Sequence, residues 1–250
     1  MDAVKVQRIL AKFKKKNTDE PPRCSAVIVA AGSSTRMGHD KIMGALGGIP
    51  VLVRTLRAFE ESEYVDEIIL VTRPEMIEHG AMLCDKYGIS KVSKVICGGE
   101  TRTQSALAGV SEVRRGAKLI AIHDGARPFV SAQLIKRVVY AARDNYSAVP
   151  VIKCTDTMKV VDGQGVICGS VDREHLVRIQ TPQVFEASFI KGALTKAVKD
   201  GLALTDDCSA MDMMGIKTVT VEGEESNIKL TTPSDMAAAE AILKKQGLQI

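Results

Sequence analysis

Residues 26–41 read AVIVAAGSSTRMGHDK. The apolar run 26–31 breaks at Gly32 into Ser33, Ser34 and Thr35, with Arg36 next and Lys41 five residues further on. Such a run reads as a buried parallel strand, and the small residues read as a tight turn into a helix or loop. A turn of this kind leaves several backbone N–H groups unpaired and pointing one way, which suits a phosphate. Arg36 and Lys41 add full positive charges beside those amides. The stretch is either a nucleotide triphosphate grip or an ordinary strand-to-helix turn with exposed basic residues. It is neither a G-x-x-x-x-G-K-[ST] loop nor a G-x-G-x-x-G fingerprint.

The same rhythm continues downstream. Strands are expected at 24–31, 67–72, 92–97 and 119–123, with helices between them at 50–61, 74–87 and 101–115. A helix at 131–145 leads to a strand at 148–153. Ser131 suits an N-cap, and Pro50 and Pro74 suit a first helical turn. Short apolar runs alternating with longer helices indicate βαβ units. The expected fold is α/β and Rossmann-like: a mostly parallel twisted sheet with helices on both faces. Right-handed crossovers then put the strand C-termini on one edge, where such sheets bind ligands.

The rhythm changes near residue 155. MKVVDGQGVICGSV, residues 158–171, holds two β-branched runs around Asp162-Gly163-Gln164-Gly165, a hairpin signal. This hairpin is expected to project as an arm over about 155–175 and to pair with a second subunit, giving a homodimer. Helices follow at 186–199 and 205–214, strands at 219–222 and 227–230, and a last helix with Pro233 near its start. With no repeat or linker in sight, residues 24–250 read as one domain.

The chain has 250 residues, 45% hydrophobic and 26% charged, which is a globular composition. Residues 1–23 hold seven Lys or Arg against three acids, so this basic extension carries the whole net charge of +4. The rest of the chain is balanced, and with aromatics at 4% and no Trp it offers no stacking platform for nucleic acid. Residues 4–16 carry Val6, Ile9, Leu10 and Phe13 at helical spacing. That segment is read as a short amphipathic helix that packs on its own domain or frays, rather than as a membrane anchor. No apolar run approaches the ~18–20 residues of a membrane span, and no secretory leader is visible, so a cytoplasmic location is expected. The six cysteines form no C-x-x-C pair and are expected to be reduced and mostly buried.

Three further groups carry possible chemistry. His123-Asp124-Gly125-Ala126-Arg127-Pro128 follows a strand, and a strand-end Asp suits hard Mg²⁺, while Arg127 could fork onto a phosphate. Asp124 capping a turn is the plain alternative. Gly98 to Ser105 opens a helix; its glycines permit close backbone approach, and Ser105 could reach a base edge, or Thr101 simply caps the helix. Asp172-Arg173, Asn227-Ile228-Lys229 and Thr155-Asp156-Thr157 lie at strand ends or at the foot of the arm. No G-x-S-x-G elbow or Ser/His/Asp set is present.

Taken in order, AVIVAAGSSTRMG, GGETRTQSALAG, HDGARP, DTMK, SVDR, QTPQVF, the Thr205-Asp206 stretch and SNIKLT resemble the 2-C-methyl-D-erythritol 4-phosphate cytidylyltransferase family. The resemblance runs from about residue 25 to 245. It implies CMP transfer from CTP to methylerythritol phosphate, with release of pyrophosphate and with Mg²⁺ or another divalent cation. It implies Arg36, Lys41, Arg173 and Lys229 as catalytic residues. It also implies that Ala30, Ala31, Gly32, Gly99, Glu100 and Ser105 line the nucleotide, and that Asp124 sits with the metal. Arg127, Thr157, Arg173 and Lys229 would hold the sugar phosphate, with residues 171–173 coming from the partner subunit's arm. The resemblance departs near Lys41, where the family often has Pro-Lys a few residues further from the arginine. A ribitol-5-phosphate cytidylyltransferase and a non-catalytic nucleotide-binding module are the rival readings.

Overall fold

An inner strand of the sheet, paired on both edges, takes in the first part of the apolar run 26–31. The computed structural model describes residues 20–32, 42–202 and 204–247. The expected helix at 4–16 and the turn 33–41, with Arg36 and Lys41, lie outside the described residues.

In chain order the described elements begin with β1 (Cys24–Val29), the small hairpin β2 (Ala45–Leu46) and β3 (Ile49–Pro50), then α1 (Val51–Glu60). Next come β4 (Val65–Thr72), α2 (Ile77–Tyr87), β5 (Val92–Cys97), α3 (Arg102–Glu112) and β6 (Leu119–Asp124). They continue with α4 (Ala132–Asn145), β7 (Ser147–Lys153), the arm hairpin β8 (Lys159–Val161) and β9 (Ile167–Ser170), and β10 (Val177–Ile179). The remainder are β11 (Gln183–Glu186), α5 (Ala187–Lys199), α6 (Cys208–Met213), β12 (Val219–Glu222) and α7 (Pro233–Lys245).

β1 pairs in parallel with β4 on one side and β6 on the other, and β5 extends the parallel block beyond β4. β11 runs antiparallel between β6 and β7. β10 pairs antiparallel with the far end of β7, and β12 runs parallel along the opposite edge of β7. The sheet is therefore mixed but mostly parallel, with the β8–β9 hairpin apart from it.

Alternation along the strands feeds two cores. Ala26, Ile28, Ile68 and Leu70 face α1 and α4, meeting Leu52, Leu56, Phe59, Leu134 and Val138. Val27, Ile69 and Val71 face α3 and α5, meeting Ala106, Val110, Ile190 and Leu194. Period-two burial on both faces is what a parallel sheet sandwiched by helices requires. On the α3 side the approach is close: a Cβ on Gly109 would lie 2.2 Å from Val27 Cγ1 and 2.8 Å from Val71 Cγ2. A third cluster packs Leu243 and Ala239 of α7 on Leu46, Val51, Phe129 and Leu230.

Several expectations need correction. β10 and β11 are absent from the sequence reading, because each is short and Pro182 interrupts them. Residues 227–230 are irregular, not a strand, since Asn227 spends its backbone and amide on other loops. The helix expected at 205–214 shortens to Cys208–Met213. Only Cys24 and Cys84 of the six thiols are buried; Cys97 ends the edge strand β5 and Cys168 lies on the arm, where neither is covered. Capping follows expectation at Ser131, whereas Pro50 stands just outside α1 as its N-cap and Pro74 opens a single 3-10 turn ahead of α2. Ser131 Oγ accepts from Leu134 N–H at 2.9 Å, and Thr101 with Gln104 forms a reciprocal capping box on α3.

Candidate active site

The parallel strands end together. Val29 is in register with Asp124 and Val71, Gly125 N–H donates to Val29 O at 2.9 Å, and Gly98 N–H donates to Thr72 O at 2.8 Å. This brings Ala30, Ala31 and Gly32, the Gly98–Glu100 loop and Asp124 to one edge. Glycine is required at 98, where a Cβ would stand 2.5 Å from Ala31 Cβ and 2.7 Å from Ser105 Oγ. Ser105 is buried, and its hydroxyl accepts from Gly99 N–H at 3.1 Å while facing Thr101 O at 3.0 Å. That hydroxyl shapes the loop, which leaves Gly32, Gly99 and Glu100 exposed at its mouth.

Asp124 is the electrostatic centre. Its Oδ1 faces Arg102 Nε at 3.3 Å; its Oδ2 takes Lys229 Nζ at 2.8 Å and has Arg127 Nε at 3.7 Å. Burial opposes the Asp124 charge, but Arg102, Lys229 and Arg127 outweigh it and hold the carboxyl well below the usual carboxylate range. Arg102 also makes a two-pronged bond to Asp207, at 2.9 and 2.7 Å. Three cations therefore surround two buried carboxylates, a surplus of positive charge aimed at the strand ends. Lys229 is positioned by its neighbour Leu230, whose side chain is in the α7 core and whose N–H bonds Ala126 O at 2.9 Å.

The QTPQ segment holds these loops in place. Gln180 accepts from Glu224 N–H at 3.1 Å and donates to Glu224 O at 2.8 Å. Thr181 Oγ1 accepts from Asp124 N–H at 3.1 Å, and Thr181 O accepts from Asn227 Nδ2 at 2.8 Å. Asn227 O in turn accepts from Arg127 at 2.7 Å. Gln183 Oε1 accepts from the N–H groups of Asp207 and Cys208 at 3.1 and 3.0 Å. His123 is wholly buried, and burial brings its pKa down to about 3. Its Nε2 faces Arg127 O, which only accepts, so Nε2 carries the proton and Nδ1 accepts from the Thr181 hydroxyl at 3.0 Å. His123 is thus a neutral structural link, not a base.

Thr157 and Arg173 stand apart from this cluster. Both are exposed at the base of the arm, where Arg173 donates to Thr155 O at 3.2 Å. Among the described residues no hydrogen bond or ion pair joins either to Asp124, Arg127 or Lys229. Met158, Val160, Val161, Val166 and Ile167 leave the arm's apolar surface exposed.

Among the described residues no three His, Cys, Asp or Glu side chains gather as a closed metal cage. One buried, ionised carboxylate among cations fits a different case. Mg²⁺ commonly takes one or two carboxylates and fills its shell with phosphate and water.

The sequence model of the 2-C-methyl-D-erythritol 4-phosphate cytidylyltransferase family matches residues 24–245. The chain belongs to this family. A member from Caldanaerobacter subterraneus is 42% identical over 224 residues, covering 88% of this chain and 99% of its own. Another, from Halalkalibacterium halodurans, is 40% identical, covering 89% of this chain and 97% of its own. Among solved structures, 4-diphosphocytidyl-2C-methyl-D-erythritol synthase from Anaerococcus prevotii has a TM-score of 0.79 at 31% identity, covering 90% of this chain and 97% of that one. The Thermus thermophilus enzyme has a TM-score of 0.74 at 30% identity, covering 89% of this chain and 99% of that one.

Arg102, Asp207, Thr181, Gln180 and Gln183 were missed as site residues by sequence reasoning. Arg102 sits inside the glycine loop motif and the other four in or near QTPQVF and Thr205-Asp206. The quoted motifs marked these stretches, but no local property singled out the individual side chains, whose partners lie far away in sequence.

Proposed function

We propose that this member of the family transfers CMP from CTP to 2-C-methyl-D-erythritol 4-phosphate, forming CDP-methylerythritol and pyrophosphate in non-mevalonate isoprenoid biosynthesis. The observation that carries the reading is the ionised Asp124 among Arg102, Arg127 and Lys229, at the strand ends beside the Gly98–Gly99 loop. In the reaction a phosphate oxygen of the polyol attacks the α-phosphorus of CTP. The bond from that phosphorus to the bridging oxygen breaks, and pyrophosphate leaves. The nucleophile is already an anion, so no strong base is needed. Repulsion between two polyanions is the obstacle, and fixed positive charge and positioning remove it.

In this reading Arg36 and Lys41 hold the triphosphate, and Ala30, Ala31, Gly32, Gly99 and Glu100 line the cytidine, with Ser105 bracing the loop. Lys229 and Arg127 hold the polyol phosphate. Asp124 would hold Mg²⁺, or a similar hard cation, which when bound neutralises phosphate charge. Thr157 and Arg173 serve the site of the other subunit, because they do not reach their own chain's cluster and the arm exposes an apolar surface suited to a second copy. Residues 1–23 precede the family match, and their removal should leave turnover intact. The cytoplasm is the place of action in this reading, supported by water-soluble substrates and by the absence, among the described residues, of a helix long and apolar enough to cross a membrane.

The test is pyrophosphate release from CTP with 2-C-methyl-D-erythritol 4-phosphate and, separately, ribitol 5-phosphate. Clear preference for the first is expected. Preference for ribitol phosphate, or CTP binding without turnover of either, would overturn the reading.

A further inference from the structure

Arg102 is divided unequally between two carboxylates. Its terminal nitrogens meet both oxygens of Asp207, at 2.9 and 2.7 Å, a bidentate pairing and the strongest geometry open to a guanidinium. Its contacts to Asp124 Oδ1 are side-on and longer, 3.3 Å from Nε and 3.4 Å from a terminal nitrogen. Asp207 is 1% exposed, and Arg102 is its one ion-pair partner among the described residues. The neighbouring Asp206 does not compete, because it is occupied by Ser209 and Gln183.

Asp207 is also placed relative to Asp124 with little freedom. Its N–H and that of Cys208 bond the Gln183 amide, and Gln183 on β11 is in register with Ile122, two residues before Asp124 on β6. The spacing between the two carboxylates is thus set by the sheet. We infer that Asp207 is a positioning residue that retains Arg102, so that Asp124 Oδ1 is held only by the longer contacts of 3.3 and 3.4 Å, which a divalent cation can replace. Without the Asp207 charge, nothing buried opposes closure of the guanidinium onto Asp124, the nearest remaining carboxylate. Arg102 then tightens onto Oδ1 and competes with the cation there, Oδ2 being held by Lys229. This rests on the assignment of Asp124 as the cation-holding carboxylate.

The test reads cation binding, not turnover: Mn²⁺ titrated by electron paramagnetic resonance in the presence of CTP, without polyol phosphate. Asp207→Asn should weaken Mn²⁺ binding by on the order of tenfold, the scale of one charge-assisted hydrogen bond lost or gained. The double variant Arg102→Gln/Asp207→Asn removes both charges of the pair, so no buried charge is orphaned, and it should bind Mn²⁺ several-fold more tightly than the native protein. Thermal melts identify folded variants. If Asp207→Asn alone does not fold, the double variant decides, and binding equal to or weaker than native overturns the inference. Native-like or tighter binding by a folded Asp207→Asn also overturns it. Asp124→Asn separates the two levels. Unchanged Mn²⁺ binding there sinks the Asp124 assignment, whereas weakened binding there with no effect of Asp207→Asn sinks this inference alone.

Discussion

Lys229→Ala separates electrostatic catalysis from simple architecture. Lys229 Nζ is 2.8 Å from Asp124 Oδ2, and the side chain is 38% exposed. Its contribution to folding is small, because a partly exposed ion pair is worth about 0–1 kcal/mol and Asp124 keeps Arg102 and Arg127 as partners. For a chain of this size ~1 kcal/mol is about 2–4 °C in melting temperature. The catalytic loss is larger. Removing one preorganised donor from developing charge costs about 2.7–4 kcal/mol, or roughly 10²–10³-fold in kcat. The assay is pyrophosphate release at saturating CTP, Mg²⁺ and methylerythritol phosphate, with a thermal melt on the same sample. The expected result is a rate loss of roughly two to three decades with the melt nearly unchanged. A rate within about threefold of native would remove Lys229 from the chemistry, where a transition-state donor is worth far more. A large fall in melting temperature alongside the rate loss would make its role structural.

Other perturbations test the scaffold. Gly109→Ala should destabilise by about 1–3 kcal/mol, because the new methyl overlaps Val27 and Val71, both wholly buried in central strands; a denaturant midpoint at or above native would refute the overlap. Asp235 caps α7 through the N–H groups of Thr231 and Thr232, both at 2.7 Å. Burial opposes its charge, but those donors outweigh it and lower its pKa. Its stabilisation is therefore full above the unfolded carboxylate range and is lost as pH falls through the lowered folded pKa. Asp235→Ala should cost about 1 kcal/mol at pH 7, and urea melts should show the gap from native closing below about pH 4. A gap that widens in acid would reverse the sign of the argument. Thiol labelling at pH 8 should modify the exposed Cys97 and Cys168 first. Cys24 and Cys84, whose thiols burial raises to about 12 and about 11, should react only on unfolding, and early labelling of either would contradict their burial.

Much of this molecule can be read from local pattern. A strand such as β1 shows itself because an uninterrupted apolar run has no other soluble home, and α3 and α4 show themselves through periodicity and caps. The glycines of the β5–α3 loop, Asp124, Arg127 and Lys229 carry residue types whose chemistry is visible in isolation. β10 and β11 have no such signature. Each is held by pairing to β7, a partner distant in sequence, and their residues read as loop.

The sequence by itself determined the alternating α/β order, the arm, and the strand-end residues that suit phosphates, because hydrophobic period and turn chemistry are local properties. Only the tertiary structure decided which charges share a partner. Arg102 and Asp207 are far apart along the chain, and their pairing depends on β11 inserting between β6 and β7. That insertion brings Gln183 under the start of α6 and Thr181 onto Asp124. Burial then sets the electrostatics, since a carboxylate removed from water must be answered by whichever cation the fold delivers.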